Sequence, residues 1–295
     1  MKFKILHTWP SPAKINLFLY VTGKRFDGYH NIQTLFQFLN YGDTLKIIPN
    51  KTGNISLFTE KKTLLNKKNS ILNAAQLLKE KALLYHKRDT TNFGAKIFLK
   101  KNIPIGSGLG GASSNAATTL IVLNKLWNTK FTLQELSTFS LKIGTDVPGF
   151  IIGNTAVIQG IGDILYPIKR IKKWYLVVYP SIQILTKNMF SSPFLTHSTP
   201  KKSIKLLLNL PFSNDFENIV KKKFIKIKKL LSMLSLYAPS RMTGTGSCVF
   251  SEFNDKESAK KILSLIPKNM KSFIAKSVNI SPLHNMLNKK KYIFS

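Results

Sequence analysis

The feature that most constrains this chain is the glycine- and serine-rich segment 104–117, which reads PIGSGLGGASSNAA. A strand-like run precedes it, and from Ala116 onward the apolar residues recur with a helical period. Glycine has no Cβ, so its backbone can approach a ligand closely, and the amides at a helix N-terminus attract anions. Ser113 or Ser114 is expected to cap the helix. The segment therefore predicts a strand, a phosphate-binding loop and a helix.

Other classes of phosphate loop fit this segment poorly. Gly106, Gly108 and Gly111 satisfy G-x-G-x-x-G, but a dinucleotide-binding site also needs an acidic residue about 20 positions later. The acidic residues that follow, Glu135 and Asp146, do not fit that position. The sequence also lacks the G-K-[ST] of a Walker A loop and the H-R-D and D-F-G motifs of protein kinases.

The net charge of +32 raises the alternative of a nucleic-acid or membrane-surface protein. Arginine, which reads nucleic acids through its planar fork, occurs at only four of the 45 basic positions. The lysines are scattered along the whole chain instead of forming one cluster. We therefore expect an excess of surface lysine and neither a nucleic-acid nor a membrane partner.

Cysteine content and the N-terminal sequence bear on location. Cys248 is the only cysteine, so the chain has no disulfide framework and a reducing compartment is expected. The N-terminus is too short and polar for a signal peptide, and no apolar run approaches 18 residues. These features predict a cytoplasmic protein. The five histidines are scattered without metal-ligand spacing, so no protein-held metal is expected.

A strand with alternating apolar residues begins near Lys14. Lys14 and Asn16 share one face of this strand, either as solvent-exposed residues or as a pair in a site, and the pattern leaves both alternatives open. The turn that follows ends in Tyr29 and His30. These rings could stack on and hydrogen-bond a base, or they could belong to the core.

Asp146 lies in the segment GTDVPG among small and apolar residues. One interpretation is a helix N-cap, with Pro148 in the first turn. The other is a buried catalytic carboxylate.

Local patterns predict several further elements of secondary structure. Residues 34–39 and 44–48 read as strands joined by a turn at 41–43, and residues 61–68 as a polar loop. Residues 70–84 have the period of a helix capped by Asn69 or Ser70. A capping box at 132–135 predicts another helix.

Three glycine-bearing motifs, at 104–114, 144–150 and 242–248, resemble in order the three motifs of the GHMP small-molecule kinases. Residues 11–45 further resemble the N-terminal signature of a member that phosphorylates a cytidine-diphosphate-linked alcohol. RMTGTGSCVF at 241–250 and NISPLH at 279–284 are similar to the same member. The resemblance covers essentially the whole chain.

The resemblance implies an α+β, two-domain GHMP kinase fold. Residues 1–168 would form a ribosomal-S5-domain-2-like domain that carries the glycine-rich ATP loop. Residues 169–288 would form a ferredoxin-like α/β sandwich, followed by a basic tail at 289–295, and ligands would lie in the cleft between the domains. We expect a monomer or a weak homodimer.

The resemblance also implies a reaction, transfer of the ATP γ-phosphoryl group to the 2-hydroxyl of 4-diphosphocytidyl-2-C-methyl-D-erythritol in non-mevalonate isoprenoid biosynthesis. Mg²⁺ is expected to be bound mainly through the phosphates of ATP, because no acidic residue near the loop is an obvious ligand. The alternatives are another GHMP kinase, of the homoserine, mevalonate or galactose type, and a non-enzymatic nucleic-acid binder.

Residue roles follow from the same resemblance. Asp146 matches the general base, and Lys14 matches the catalytic lysine that would hold the attacking oxygen. Asn16, Tyr29, His30 and Phe190 match substrate-binding positions. The residues that correspond to the ATP site are Pro104, Ile105, Gly106, Ser107, Gly108, Leu109, Gly110, Gly111, Ala112, Ser113 and Ser114, together with Asn69 and Lys101.

Overall fold

A computed structural model describes residues 8–65 and 69–290 of the chain, which form ten strands, ten α-helices and one short 3-10 helix, Lys62–Leu64. The strands are β1 (Thr8–Lys24), β2 (His30–Asn50), β3 (Ile55–Thr59), β4 (Gly94–Lys100), β5 (Ala156–Gly160), β6 (Ile164–Pro167), β7 (Trp174–Tyr179), β8 (Ser240–Met242), β9 (Val249–Phe253) and β10 (Lys271–Val278). The helices are α1 (Ser70–His86), α2 (Gly111–Leu126), α3 (Leu133–Ser140), α4 (Val147–Ile152), α5 (Thr186–Phe190), α6 (Ile204–Asn209), α7 (Glu217–Lys223), α8 (Ile225–Ser235), α9 (Lys256–Leu263) and α10 (Pro282–Lys290). Part of the predicted loop at 61–68 and residues 291–295 of the predicted tail lie outside the described residues.

Strand β2 connects the two halves of the molecule. The strands form one sheet with the order β3-β4-β2-β10-β7-β9-β8. Strands from the first half of the chain and strands from the second half therefore belong to the same sheet. Strands β1 and β5 also pair with β2. The antiparallel β1–β2 pair extends from Thr8 opposite Lys46 to Lys24 opposite His30, with irregularities that include one between Asn16 and Leu19. The predicted boundary between residues 168 and 169 stays a prediction.

The predicted turn at 41–43 is wrong, because β2 is continuous through these residues. Gly42 lies opposite Pro12 of β1. A Cβ at Gly42 would lie 2.3 Å from the carbonyl oxygen of Ser11 and 2.7 Å from the Cα of Pro12. Glycine is therefore needed here because two backbones approach each other closely, and not because the chain reverses.

Two helix starts agree with their local signals. Helix α1 begins at Ser70, and the side chain of Asn69 accepts a hydrogen bond from the amide of Ile71. The capping box of Thr132 and Glu135 is present at the start of α3. Both predictions are confirmed, because a cap depends on residues only two or three positions apart.

Both faces of β1 are buried, unlike those of a surface strand. Ile15 and Leu17 on one face and Phe18 on the other are fully buried. Lys14 and Asn16 are only 3% and 4% exposed. The alternative in which this polar pair faces solvent is therefore wrong, and the structure must accommodate a buried lysine.

None of the helices in residues 8–65 and 69–290 has both the length and the apolar character that crossing a bilayer requires.

We predict that Gly42→Ala destabilises the fold by about 1–3 kcal/mol, the usual cost of forcing atoms into a packed interior. The added methyl would meet the backbone of Ser11 and Pro12, which cannot rotate away. Gly23→Ala is the matched control, because Gly23 lies in the partner strand and the nearest atom to its added Cβ is 3.8 Å away. Urea unfolding of both variants provides the measurement, and equal losses would contradict the close-approach explanation.

Candidate active site

The loop between β4 and α2 has the backbone of an anion-binding loop. Gly106, Gly108 and Gly110 have φ angles of 65°, 77° and 71°, a region that only glycine enters readily. Gly110 is the N-cap of α2, and no side chain caps this helix. The first amides of α2 are therefore free of a capping side chain and point toward the loop.

The predicted capping of α2 by Ser113 or Ser114 is wrong. The side chain of Ser114 is buried, and its hydroxyl is hydrogen-bonded to Ser11 at 3.0 Å. Both serines lie inside the helix, which begins earlier than predicted because Gly110 can adopt the left-handed conformation at the N-cap.

The loop forms one wall of a cleft of about 460 Å³. Leu109 and Ser114 do not line it, and the side chain of Leu109 is buried while its carbonyl accepts a hydrogen bond from the amide of Lys14 at 3.1 Å. The predicted ATP-site residues that do line the cleft are Pro104, Ile105, Gly106, Ser107, Gly108, Gly110, Gly111, Ala112, Ser113, Asn69 and Lys101.

The third glycine motif packs directly on the loop. A Cβ at Gly108 would lie 2.4 Å from the carbonyl oxygen of Thr243 and 2.9 Å from that of Gly246. The amide of Cys248 donates to the carbonyl of Ser107 at 3.1 Å. Gly244 and Thr245, which sequence reasoning had not selected as site residues, line the cleft as a result.

Lys14 and Asp146 meet in this cleft. Lys14 Nζ lies 3.2 Å from Asp146 Oδ2 and donates to Asn16 Oδ1 at 2.6 Å. The Lys14 side chain is 4% exposed, and a buried charge of this kind requires a partner of opposite charge. The two residues, 132 positions apart in the chain, therefore form an ion pair beside the glycine loop.

Asp146 has the position that the N-cap interpretation predicts, but not the capping hydrogen bond. It stands at the N-cap position of α4, with Pro148 in the first turn, but its side chain makes no capping hydrogen bond. The side chain is also 40% exposed, so the expectation of a buried carboxylate is wrong. The reason is that Asp146 lines the open cleft.

The amide of Asn16 is held by two neighbours. Its Oδ1 accepts from Lys14, and its Nδ2 donates to the hydroxyl of Thr34 at 2.8 Å. The backbone amide of Asn16 donates to the hydroxyl of Thr243 at 2.9 Å. Sequence reasoning did not select Thr34 as a site residue, although it lies within the segment 11–45 that resembles the family signature.

A second buried ion pair lies beneath the glycine loop, between Lys101 and Asp43. The carboxylate of Asp43 also accepts the backbone amides of Asn102 and Ile103, both at 2.8 Å. Burial lowers the pKa of Lys101, and the neighbouring carboxylate of Asp43 opposes that shift. Asp43 was assigned to a turn from its sequence, so its role at the start of the loop was not predicted.

Asn69 combines a cap with a position in the cleft. Besides capping α1, its side-chain amide donates to the carbonyl of Leu64 at 2.8 Å. Lys101 Nζ approaches the start of α2, because a Cβ on Gly111 would lie 2.8 Å from it. Both side chains thus line the cleft together with the loop.

The predicted base-binding residues are only partly brought together. His30 is 9% exposed, and its ring centroid lies 5.0 Å from Phe190 and 4.8 Å from His197. Tyr29 is 51% exposed, and of the three predicted residues only Phe190 lines the cleft.

Burial, followed by the charges of His197 and Lys24, lowers the pKa of His30, which favours its neutral form. Its Nε2 is buried and has no hydrogen-bond partner among the described residues.

A metal held entirely by protein side chains does not fit the described residues. Residues 8–65 and 69–290 contain no group of three or more His, Cys, Asp and Glu that could hold one. Asp146 is the only carboxylate among the residues that line the cleft in this part of the chain. The donor set suits a divalent cation that takes most of its ligands from phosphate oxygens and water.

Comparison with known proteins identifies relatives along the whole chain. The family model described as GHMP kinases N terminal domain matches residues 69–154, and that described as GHMP kinases C terminal matches residues 197–272. The 4-diphosphocytidyl-2-C-methyl-D-erythritol kinase of Buchnera aphidicola subsp. Acyrthosiphon pisum (strain APS) is 71% identical over 97% of this chain and 100% of its own length. The protein of that name from Buchnera aphidicola subsp. Schizaphis graminum (strain Sg) is 68% identical over 97% of this chain and 98% of its own length.

Solved structures agree with these relatives. A crystal structure of 4-(cytidine 5'-diphospho)-2C-methyl-D-erythritol kinase matches with a TM-score of 0.75 and 25% identity, covering 92% of this chain and 98% of the other. The mevalonate kinase of Methanococcus jannaschii matches with a TM-score of 0.65 and 17% identity, over 94% of this chain and 100% of its own. At that identity the second match shows a shared fold only.

We predict that Asp43→Asn destabilises the protein by about 3–5 kcal/mol, because it leaves the buried Lys101 without a counter-charge. The double variant Asp43→Asn with Lys101→Met should recover much of that loss, since the unpaired cation is then removed. Urea unfolding of both variants tests this expectation. A double variant as unstable as Asp43→Asn alone would mean that the lost stability comes from the backbone contacts of Asp43 and not from the ion pair.

Proposed function

The chain belongs to the GHMP kinase family, and we propose that it transfers the γ-phosphoryl group of ATP to the 2-hydroxyl of 4-diphosphocytidyl-2-C-methyl-D-erythritol. It is an ATP-dependent small-molecule kinase, and the predicted fold class is confirmed by the two family models and the kinase structure. Two relatives that carry the name of this activity are about as long as the chain and are 71% and 68% identical to it. The observation that carries the mechanism is the Lys14–Asp146 pair at 3.2 Å beside the glycine loop.

The loop and the first turn of α2 would hold the triphosphate. Phosphoryl transfer passes through a loose transition state, so it depends on alignment and on neutralising charge. Backbone amides around Gly108 and Gly110 and the positive end of the α2 dipole provide both without a charged side chain. We propose that Mg²⁺ is bound mainly by the phosphates, where it would neutralise the charge that develops on them. Asp146 is the carboxylate that lines the cleft within residues 8–65 and 69–290.

Asp146 and Lys14 would act on the hydroxyl of the substrate. The hydroxyl oxygen forms a bond to the γ-phosphorus, the bond from that phosphorus to the bridging oxygen of ADP breaks, and Asp146 accepts the hydroxyl proton. Lys14 would stabilise the attacking oxygen as it becomes negative. The carboxylate of Asp146 suits this role because it lines the cleft and does not cap α4.

The remaining site residues divide between the two ligands. We propose that Asn69 and Lys101 border the nucleoside of ATP, and that Asn16, Tyr29, His30 and Phe190 bind the substrate. His30 already has ring contacts with Phe190 and His197. Its Nε2, which has no partner among the described side chains, is therefore the group that we propose reads the edge of the cytosine.

The other predictions about the protein's surroundings stay predictions. These are the cytoplasmic location, the lack of nucleic-acid and membrane partners, and a monomer or weak homodimer. A nucleic-acid binder would show tight binding with a steep dependence on salt. That alternative provides no role for the Lys14–Asp146 pair.

We predict that Asp146→Asn lowers kcat about 10²–10⁴-fold, the usual contribution of a general base, while KM for both substrates changes only a few-fold. Asp255→Asn is the matched control, because Asp255 stands at a helix N-cap and does not line the cleft. Steady-state kinetics of both variants provides the comparison. An Asp146→Asn enzyme with more than half of the wild-type kcat would exclude Asp146 as the base.

We predict that the enzyme requires the cytidine of its substrate and discriminates against the uridine analogue. Stacking on aromatic rings is worth about 1–3 kcal/mol per base but tolerates either pyrimidine. Discrimination needs a polar group that faces the exocyclic position, since an unmatched buried group is penalised.

The experiment measures kcat/KM for the cytidine and uridine forms, and for mevalonate and homoserine, in the wild type and in His30→Ala. Turnover of mevalonate or homoserine in preference to the cytidine form would overturn the proposed function. Equal values for the two pyrimidines in the wild type would contradict the base-reading site. Discrimination that survives in His30→Ala would assign the reading to a backbone group.

A further inference from the structure

Thr34 of β2 is a buried threonine, 3% exposed, whose hydroxyl donates its hydrogen to one identified acceptor. A hydroxyl has one hydrogen to donate, and Thr34 Oγ1 donates it to the carbonyl of Phe18 at 2.6 Å. This carbonyl lies in the irregularity of the β1–β2 pairing between Asn16 and Leu19. Towards its other neighbours, Thr34 can therefore only accept.

Because the Thr34 hydroxyl can only accept from Asn16, it determines the orientation of the Asn16 amide. Asn16 Nδ2 donates to Thr34 Oγ1 at 2.8 Å, which turns Asn16 Oδ1 towards Lys14 at 2.6 Å. The lysine ammonium can only donate, so an amide rotated by 180° would place two donors against each other. Each hydrogen bond in this series therefore has one donor and one acceptor. Lys14 donates to Asn16, Asn16 donates to Thr34, and Thr34 donates to a backbone carbonyl.

We propose that Thr34 is a positioning residue that fixes the Asn16 amide so that its oxygen directs Lys14 towards Asp146. The inference rests on the proposed function of the Lys14–Asp146 pair. Asn16 is 4% exposed, so without the Thr34 hydroxyl its NH₂ group has neither that acceptor nor ready access to water. The amide then loses its preferred orientation, and Lys14 loses its fixed acceptor.

The chain contains a close match for Thr34 that has no contact with the Lys14–Asp146 pair or with Asn16. Thr155 is fully buried, donates to the carbonyl of Val278 at 3.1 Å and accepts from Gln37 Nε2 at 2.9 Å. It thus joins a side-chain amide to a backbone carbonyl as Thr34 does, but the amide that it contacts belongs to Gln37, which does not line the cleft, whereas Asn16 does. Thr155→Val therefore reports the structural cost of removing such a hydroxyl.

The first measurement compares the steady-state kinetics and thermal stability of Thr34→Val, Thr34→Ser and Thr155→Val. Thr34→Val should lower kcat roughly 10–100-fold, the scale expected for misplacing a reacting group. Thr34→Ser keeps the hydroxyl, so its kcat should stay within about twofold of the wild-type value. Thr155→Val should lose stability with kcat unchanged, although Gln37 Nε2 keeps the carbonyls of Phe38 and Val278 as acceptors. Equal losses of kcat in the two valine variants would mean that Thr34 has a structural role only.

The second measurement is a double-mutant cycle with Asn16→Ala. If Thr34 acts through Asn16, then Thr34→Val has no further effect on kcat in the Asn16→Ala background. Effects that multiply would overturn the inference.

A third readout does not depend on turnover. The side-chain amide resonances of Asn16, assigned by their loss in Asn16→Ala, should shift and lose protection from hydrogen exchange in Thr34→Val. Lys14→Met measured in the kinetic assay tests the proposed function separately. An active Lys14→Met enzyme would refute the role of Lys14, whereas unchanged Asn16 resonances in Thr34→Val would refute the role of Thr34.

Discussion

The antiparallel pairing of β1 with β2 is the constraint on which the rest of the structure depends. Strand β2 also pairs with β4, β5 and β10, so it joins the sheet elements of both halves of the chain. The same pairing places Leu19 opposite Thr34 and brings the side chain of Asn16 within hydrogen-bond distance of the Thr34 hydroxyl. A slip of one residue in this register would turn all of these side chains to the opposite face. The geometry of the cleft is thus determined by strand pairing before any loop contributes.

Two buried lysines beside the glycine loop impose a second constraint. Lys14 pairs with Asp146, and Lys101 pairs with Asp43. The two carboxylates differ in their hydrogen bonds with backbone amides. Asp43 accepts two amides at the start of the loop, whereas Asp146 lines the cleft without capping its helix. One ion pair therefore holds the loop in place, and the other contains a carboxylate that is available to a ligand.

Sequence reasoning succeeded for two local features, the caps of α1 and α3, but it failed for the cap of α2 and for features whose cause is distant. The caps of α1 and α3 depend on neighbours two or three residues away, and both were predicted. Gly42 was read as a turn because its actual cause, the backbone of Ser11 and Pro12, lies some thirty residues earlier in the chain.

Among the site residues, the resemblance selected Lys14 and Asp146 for roles that remain proposals, and the structure places them 3.2 Å apart. The exposure of Asp146 could not be predicted, because it depends on the shape of a cleft built from segments that are far apart in the sequence. Thr34 carried no signal, because its significance lies entirely in the amide of Asn16 that it contacts.

The composition of the chain makes the position of Asp146 more informative. With 45 lysines and arginines against 13 acidic residues, a carboxylate is a scarce group in this protein. Most of the acidic residues accept a backbone amide and so stabilise a turn, a cap or a strand end. These are Asp27, Asp43, Asp89, Glu135, Asp163, Asp215, Glu217 and Asp255.

Asp146 makes no capping bond, and it is the one carboxylate among the described residues that line the cleft. A negative charge there weakens the binding of a polyphosphate, since like charges repel. Pairing with Lys14 offsets that repulsion, and it keeps Asp146 beside the loop, which is the position that its proposed role as proton acceptor requires.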